Sequence, residues 1–124
     1  MKEESGQWLI QARKDLDTAN YLFDGKKYEA SALYCQQAVE KALKTVLIER
    51  SGKFPKIHDL VALGKEVKIN HLFLDNFKEL TMAYNYSRYP DVPQQSLLKE
   101  KTSRFLKVTT EVLVWTEKEI SKKN

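Results

Sequence analysis

A chain of 124 residues, 42% hydrophobic and 31% charged, has material for one hydrophobic core and is too apolar to remain disordered. Four Gly and three Pro are too few for a turn-rich β fold, and the single cysteine, Cys35, excludes an internal disulfide and any cysteine-based metal site. The net charge of +4 permits contact with a nucleotide or nucleic acid without demanding it, because charges of both signs are interspersed along the chain.

A first helix is predicted over residues 5 to about 24, with Ser5 as N-cap and Trp8, Leu9, Ala12, Leu16, Ala19 and Phe23 on its buried stripe. Asp24-Gly25 ends it, Gly25 being suited to a left-handed closing residue. A second helix runs from near Tyr28 to about Arg50 and stops at Ser51-Gly52, with Pro55 preventing an immediate restart. Within it, Tyr34, Cys35, Ala38, Val39, Ala42, Leu43, Val46 and Leu47 recur at helical spacing, and Gln36, Gln37, Glu40, Lys41 and Lys44 fall on the remaining faces. Cys35 sits on the apolar stripe, as an inert thiol would.

A short third helix begins around His58 or Asp59 and carries Leu60, Leu63 and Val67 on one face. Asn70 is placed to cap a fourth, whose stripe is Phe73, Phe77, Leu80, Thr81 and Tyr84. Pro90 and Pro93 break the chain, and a fifth helix follows from Gln94 or Gln95 to about Glu119, with Leu98, Phe105, Leu106, Val112, Leu113 and Thr116 on its inner side. No segment alternates in the manner of a strand. The expected architecture is an all-α, up-and-down bundle of five helices, the third one short, formed by residues 1–124 as one domain. The opening MKEESGQW lacks a secretory core, and no apolar run approaches the ~20 residues that span a bilayer. A cytoplasmic protein without membrane contact is expected.

Three segments, taken together and in order, resemble the HEPN family (higher eukaryotes and prokaryotes nucleotide-binding domain): Tyr34 to Lys44, His58-Asp59-Leu60, and Tyr86 to Asp91. Trp8, Ala12, Asp15, Leu16 and Ala19 of the first helix extend the likeness to nearly the whole chain. The resemblance implies a helical bundle that forms a homodimer. It also implies a nucleotide or RNA ligand and pairing with a separate nucleotidyltransferase protein, as in toxin–antitoxin systems. One branch of the family consists of metal-independent ribonucleases marked by an Arg-x4-6-His signature. This chain departs from that signature: seven residues separate Arg50 from His58, and no His follows Arg88 or Arg104.

The candidate phosphate- and nucleotide-binding residues are Arg88, Lys41, Lys44, Gln37 and Tyr89. Arg88 has the planar fork of donors that grips a phosphate, or it caps helix carbonyls or pairs with Glu40 or Asp15. Tyr89 stacks on a base or fills a gap between helices. Lys41 and Lys44, three apart, would hold phosphates while Gln37 addresses a base or ribose; otherwise they form a solvated helix face with a Glu40–Lys44 pair. His58 is the candidate general acid/base; otherwise His58 or Asp59 caps the third helix and packs against the bundle. No Gly-rich phosphate loop, metal-ligand spacing or cofactor motif occurs, so no metal and no cofactor are expected. The sequence therefore supports a nucleotide- or RNA-associated binding module, with a diverged ribonuclease and a purely protein-binding helical module as alternatives.

Overall fold

A computed structural model of the chain describes residues 2–86 and 95–122, and the side chains of residues 2–82 and 98–122. Among the described residues it is all-helical: α1 (Glu3–Asp24), α2 (Tyr28–Ser51), α3 (Leu60–Val67), a 3-10 turn (His71–Phe73), α4 (Leu74–Tyr86) and α5 (Gln95–Ser121). The linker between α1 and α2 is short enough to make them an antiparallel hairpin. This hairpin is the most extensive packing in the molecule, and α5 lies along both of its helices. α2 is the hub, packing against α1, α3, α4 and α5.

That position explains its sequence. Ala32, Cys35, Ala38, Val39, Ala42, Leu43 and Val46 are all buried, and the run of alanines lets neighbouring helices approach closely. Facing them are Ala12 and Ala19 of α1, Leu60 and Leu63 of α3, Phe77 and Leu80 of α4, and Phe105, Val112 and Leu113 of α5. Burial also extends around α2 to Gln36, Lys44 and Thr45. The sequence pattern places Gln36 and Lys44 off the apolar stripe; a helix surrounded by four others leaves them no solvent to face.

Both ends of α1 depart from expectation. Ser5 is not the N-cap: α1 starts two residues earlier, after Lys2. The Ser5 hydroxyl is instead buried in the first turn, bonding the Lys2 carbonyl (3.0 Å) and the Glu49 carboxylate of α2 (2.6 Å). Gly25 has φ −85°, and the left-handed residue is Lys26, at φ 63°. The bonds from Lys27 N–H to the Leu22 carbonyl and from Lys26 N–H to that of Phe23 complete a Schellman closure around it. α3 ends the same way at Lys68, φ 60°, whereas α2 uses glycine at Gly52, φ 80°. Asn70 caps the 3-10 turn that precedes α4, its side chain accepting from Leu72 N–H at 2.9 Å. Asp59 caps α3 by accepting from the Val61 and Ala62 amides.

These contacts set two stability expectations. Phe77→Ala empties a site with no solvent exposure and is expected to cost roughly 3–5 kcal/mol in urea unfolding. Lys26→Gly relieves a left-handed non-glycine residue and is expected to stabilise by about 0.5–1 kcal/mol in the same assay.

Candidate functional site

The polar residues of α2 form two ion pairs about one turn apart along the α1–α2 seam. In the first, the Lys41 ammonium lies 2.6 Å from Asp15 Oδ2. Asp15 is 3% exposed, on the inner side of α1, and its other oxygen accepts from Gln11 at 3.2 Å. In the second, Lys44 lies 2.8 Å from Glu40, four residues earlier on the same helix. Lys44 is also buried, its ammonium 4.9 Å from the ring centroid of Phe54 and 5.7 Å from that of Trp8. Trp8 and Phe54 themselves meet edge to face at 5.1 Å. A buried ammonium is tolerated because a carboxylate and two aromatic rings replace its water.

Glu40 gathers the most partners. Besides Lys44 it accepts from the Gln36 amide at 3.1 Å, and both its oxygens lie 3.0–3.1 Å from His58 Nδ1. Burial on its own would raise the Glu40 carboxyl, but hydrogen bonds from Lys44 and His58, with their charges, outweigh it and hold the carboxyl below its usual range. An ionised carboxylate can only accept, so His58 donates from Nδ1 and its other ring nitrogen, Nε2, is left unengaged by this pair. The His58 side chain is 82% exposed. The arrangement is a carboxylate–imidazole dyad whose acid is internal and whose imidazole is open to solvent.

Of the residues singled out in the sequence, Gln37 and Lys41 lie one turn apart on α2, and Gln37 is half-buried. Lys41 and Lys44 are three apart but give their ammoniums to different carboxylates. Lys44 is not on a solvated face, so the alternative reading of an exposed Glu40–Lys44 pair is corrected to an internal one. His58 precedes α3 without belonging to it, and Asp59 alone supplies the cap. Arg88 and Tyr89 lie outside the described residues, as does any convergence of Arg88 with His58.

Three participants carried no sequence signal of this role. Trp8 read as core, Phe54 drew no reading, and the partnership of Asp15 with Lys41 spans 26 residues. The i,i+4 spacing of Glu40 and Lys44 was the one legible part of the network.

Among the described residues no group of three His, Cys, Asp or Glu side chains is placed to hold a metal ion, and no helix is long and apolar enough to cross a membrane. Burial pushes the Cys35 thiol up to about 12, against a weaker hydrogen bond with Thr109, so it is no nucleophile near neutral pH.

Because the Glu40 carboxyl is held low in the folded chain, its contribution to stability is present above the unfolded value of about 4.3 and is lost as pH falls through the folded value. Glu40→Gln leaves the Lys44 ammonium buried without a counter-charge, at an expected cost of roughly 3 kcal/mol at neutral pH. Urea midpoints measured against pH are expected to show the gap between wild type and variant closing as the acid range is entered.

No curated protein matches the chain. Its fold superimposes on the crystal structure of ST0689, an archaeal HEPN homologue, with a TM-score of 0.78 and 27% identity over 98% of this chain and 100% of that one. It also superimposes on TT1696 from Thermus thermophilus, with a TM-score of 0.81 and 22% identity over 95% of this chain and 99% of that one; at that identity the likeness is one of fold. The HEPN domain model matches residues 5–120. Nearly the whole chain is thus accounted for by one family pattern, and the protein belongs to the HEPN domain family.

Proposed function

We propose that this HEPN-family chain is a nucleotide- or RNA-associated binding module, acting as a homodimer and partnered with a separate nucleotidyltransferase in a toxin–antitoxin-type pair. The observation that carries the reading is the Lys41–Asp15 pair beside Gln37. The buried carboxylate positions the ammonium, and the Lys41 side chain keeps 23% of its exposure. Of Lys41 and Lys44 it is therefore the cation available to a phosphate, with Gln37 adjacent for a base or ribose. Lys44 acts behind it, neutralising Glu40. Arg88 supplies the second phosphate contact through its guanidinium fork, and Tyr89 the stacking surface.

The Glu40–His58 dyad favours a second reading, a diverged metal-independent ribonuclease. A carboxylate that fixes the imidazole tautomer leaves Nε2 as the proton-transferring atom. The two readings part on one assay: His58→Ala abolishes RNA cleavage in the second and leaves ATP binding at Gln37 and Lys41 intact in the first.

In an NMR titration of labelled protein with ATP, saturable shifts are expected at Gln37 and Lys41. Arg88→Glu is expected to weaken binding at least tenfold. Absence of shifts at millimolar ATP would remove the free-nucleotide form of the proposal.

A further inference from the structure

The connection from α2 to α3, residues 52–59, belongs to no helix, and its backbone is held by very little. Among the described residues no backbone–backbone hydrogen bond begins or ends within residues 53–58. Pro55 has no N–H to give, and the Lys53 carbonyl accepts from the Ser51 hydroxyl at 3.1 Å. Side chains tie the segment down instead. The Phe54 ring meets Trp8, Ile57 packs on the core, and His58 Nδ1 reaches the Glu40 carboxylate at 3.0–3.1 Å. Both ends are fixed, by left-handed Gly52 and by the Asp59 cap of α3.

Beneath this segment lies the Lys44 ammonium. Among the described residues Glu40 is its hydrogen-bond partner, at 2.8 Å, and the rings of Phe54 and Trp8 stand at 4.9 and 5.7 Å. An ammonium carries three donors, so aromatic faces here take the place of further hydrogen bonds. Two effects therefore oppose each other. Lifting Phe54 exposes apolar ring surface, which favours the closed arrangement. It also returns water to a buried cation short of polar partners, which favours the open one. Neither effect involves a helix hydrogen bond.

We infer that residues 53–58 are a strap that opens between Gly52 and Asp59 while the helices stay folded, turning Lys44 from an internal counter-ion into a solvent-exposed cation. The Phe54 ring is the cover, and the His58–Glu40 contact is the latch. With the strap open, Lys44 joins Lys41, three residues earlier on α2, as a second accessible ammonium. Its use by a ligand rests on the phosphate-binding reading above; the motion itself does not.

Lysine acylation, read site by site by mass spectrometry, tests the strap with no ligand present. Wild type is labelled at several urea concentrations below the unfolding transition. Local opening exposes little surface and responds weakly to urea, whereas reaction through global unfolding responds steeply. Cys35, with no solvent exposure, reports global unfolding through its reaction with a thiol reagent, and exposed Lys107 reports the reagent's own rate. Lys44 is expected to react more slowly than Lys107 but with a nearly flat urea dependence, while Cys35 reaction rises steeply. Lys44 following Cys35 in urea would overturn the inference. His58→Ala removes the latch at an exposed position and is expected to speed Lys44 acylation several-fold. Phe54→Ala is expected to speed it by roughly tenfold, the loss of one partly desolvated cation–π contact. In both variants Cys35 stays unreactive without urea. Unchanged Lys44 rates in the two variants, or rates that rise together with Cys35, would overturn the inference as well. Because no nucleotide is present, failure here leaves the ATP shifts at Gln37 and Lys41 as they are, and absence of those shifts leaves the strap standing.

Discussion

The buried ammonium of Lys44 is the constraint around which much of the molecule is arranged. α2 has helices packed around it, so a charge on its flank must find its counter-charge inside the protein. Glu40, one turn earlier, provides it at 2.8 Å, and Trp8 and Phe54 close over the pair. Breaking the arrangement from either side leaves an isolated charge in low dielectric, so neither residue can be removed without destabilising the other. The aromatic lid joins the start of α1 to the connection after α2. The Glu40 carboxylate joins α2 to His58, just before α3. One ion pair therefore fixes the relative positions of three segments distant in sequence.

The same pairing governs what the site can do. Asp15 and Glu40 neutralise Lys41 and Lys44, so the α1–α2 seam is polar without carrying a surplus of positive charge. Lys41 sits at the boundary: it is paired, yet open enough to share its remaining donors. His58 inherits orientation from Glu40 without being buried by it. Internal carboxylates here position groups that reach the surface.

Much of the fold was legible because its signals are local. Apolar spacing on α2, the Ser51-Gly52 stop, the Asn70 cap and the spacing of Phe77 and Leu80 each depend on residues within a few positions of one another. The two ends of α1 went astray for different reasons, one distant and one local. Ser5 looks like an N-cap until Glu49, 44 residues away, takes its hydroxyl. Gly25 looks like the left-handed residue, but the closing bonds from Lys26 and Lys27 put the reversal one position later. The site divides along the same line. Glu40 and Lys44 share a helix face and could be read as a unit, whereas Asp15 with Lys41, and Trp8 with Phe54, are tertiary meetings. Family resemblance supplied the order of the motifs in which Lys41, Lys44 and His58 stand. It carried no information on which of them face water.

That distinction bears on the connection between α2 and α3. By composition it is an ordinary polar loop with one proline, and nothing in its sequence separates Lys53 and Lys56 from the other lysines of a basic chain. Packing separates them. Phe54, Ile57 and His58 each meet an internal partner, whereas Lys53 and Lys56 are exposed. Because His58 and Phe54 both lean on the Glu40–Lys44 pair, the order of this segment depends on the ionised state of a carboxylate one helix away. The internal ion pair and the exposed basic segment are therefore one device, and a change to the first alters how the second is presented.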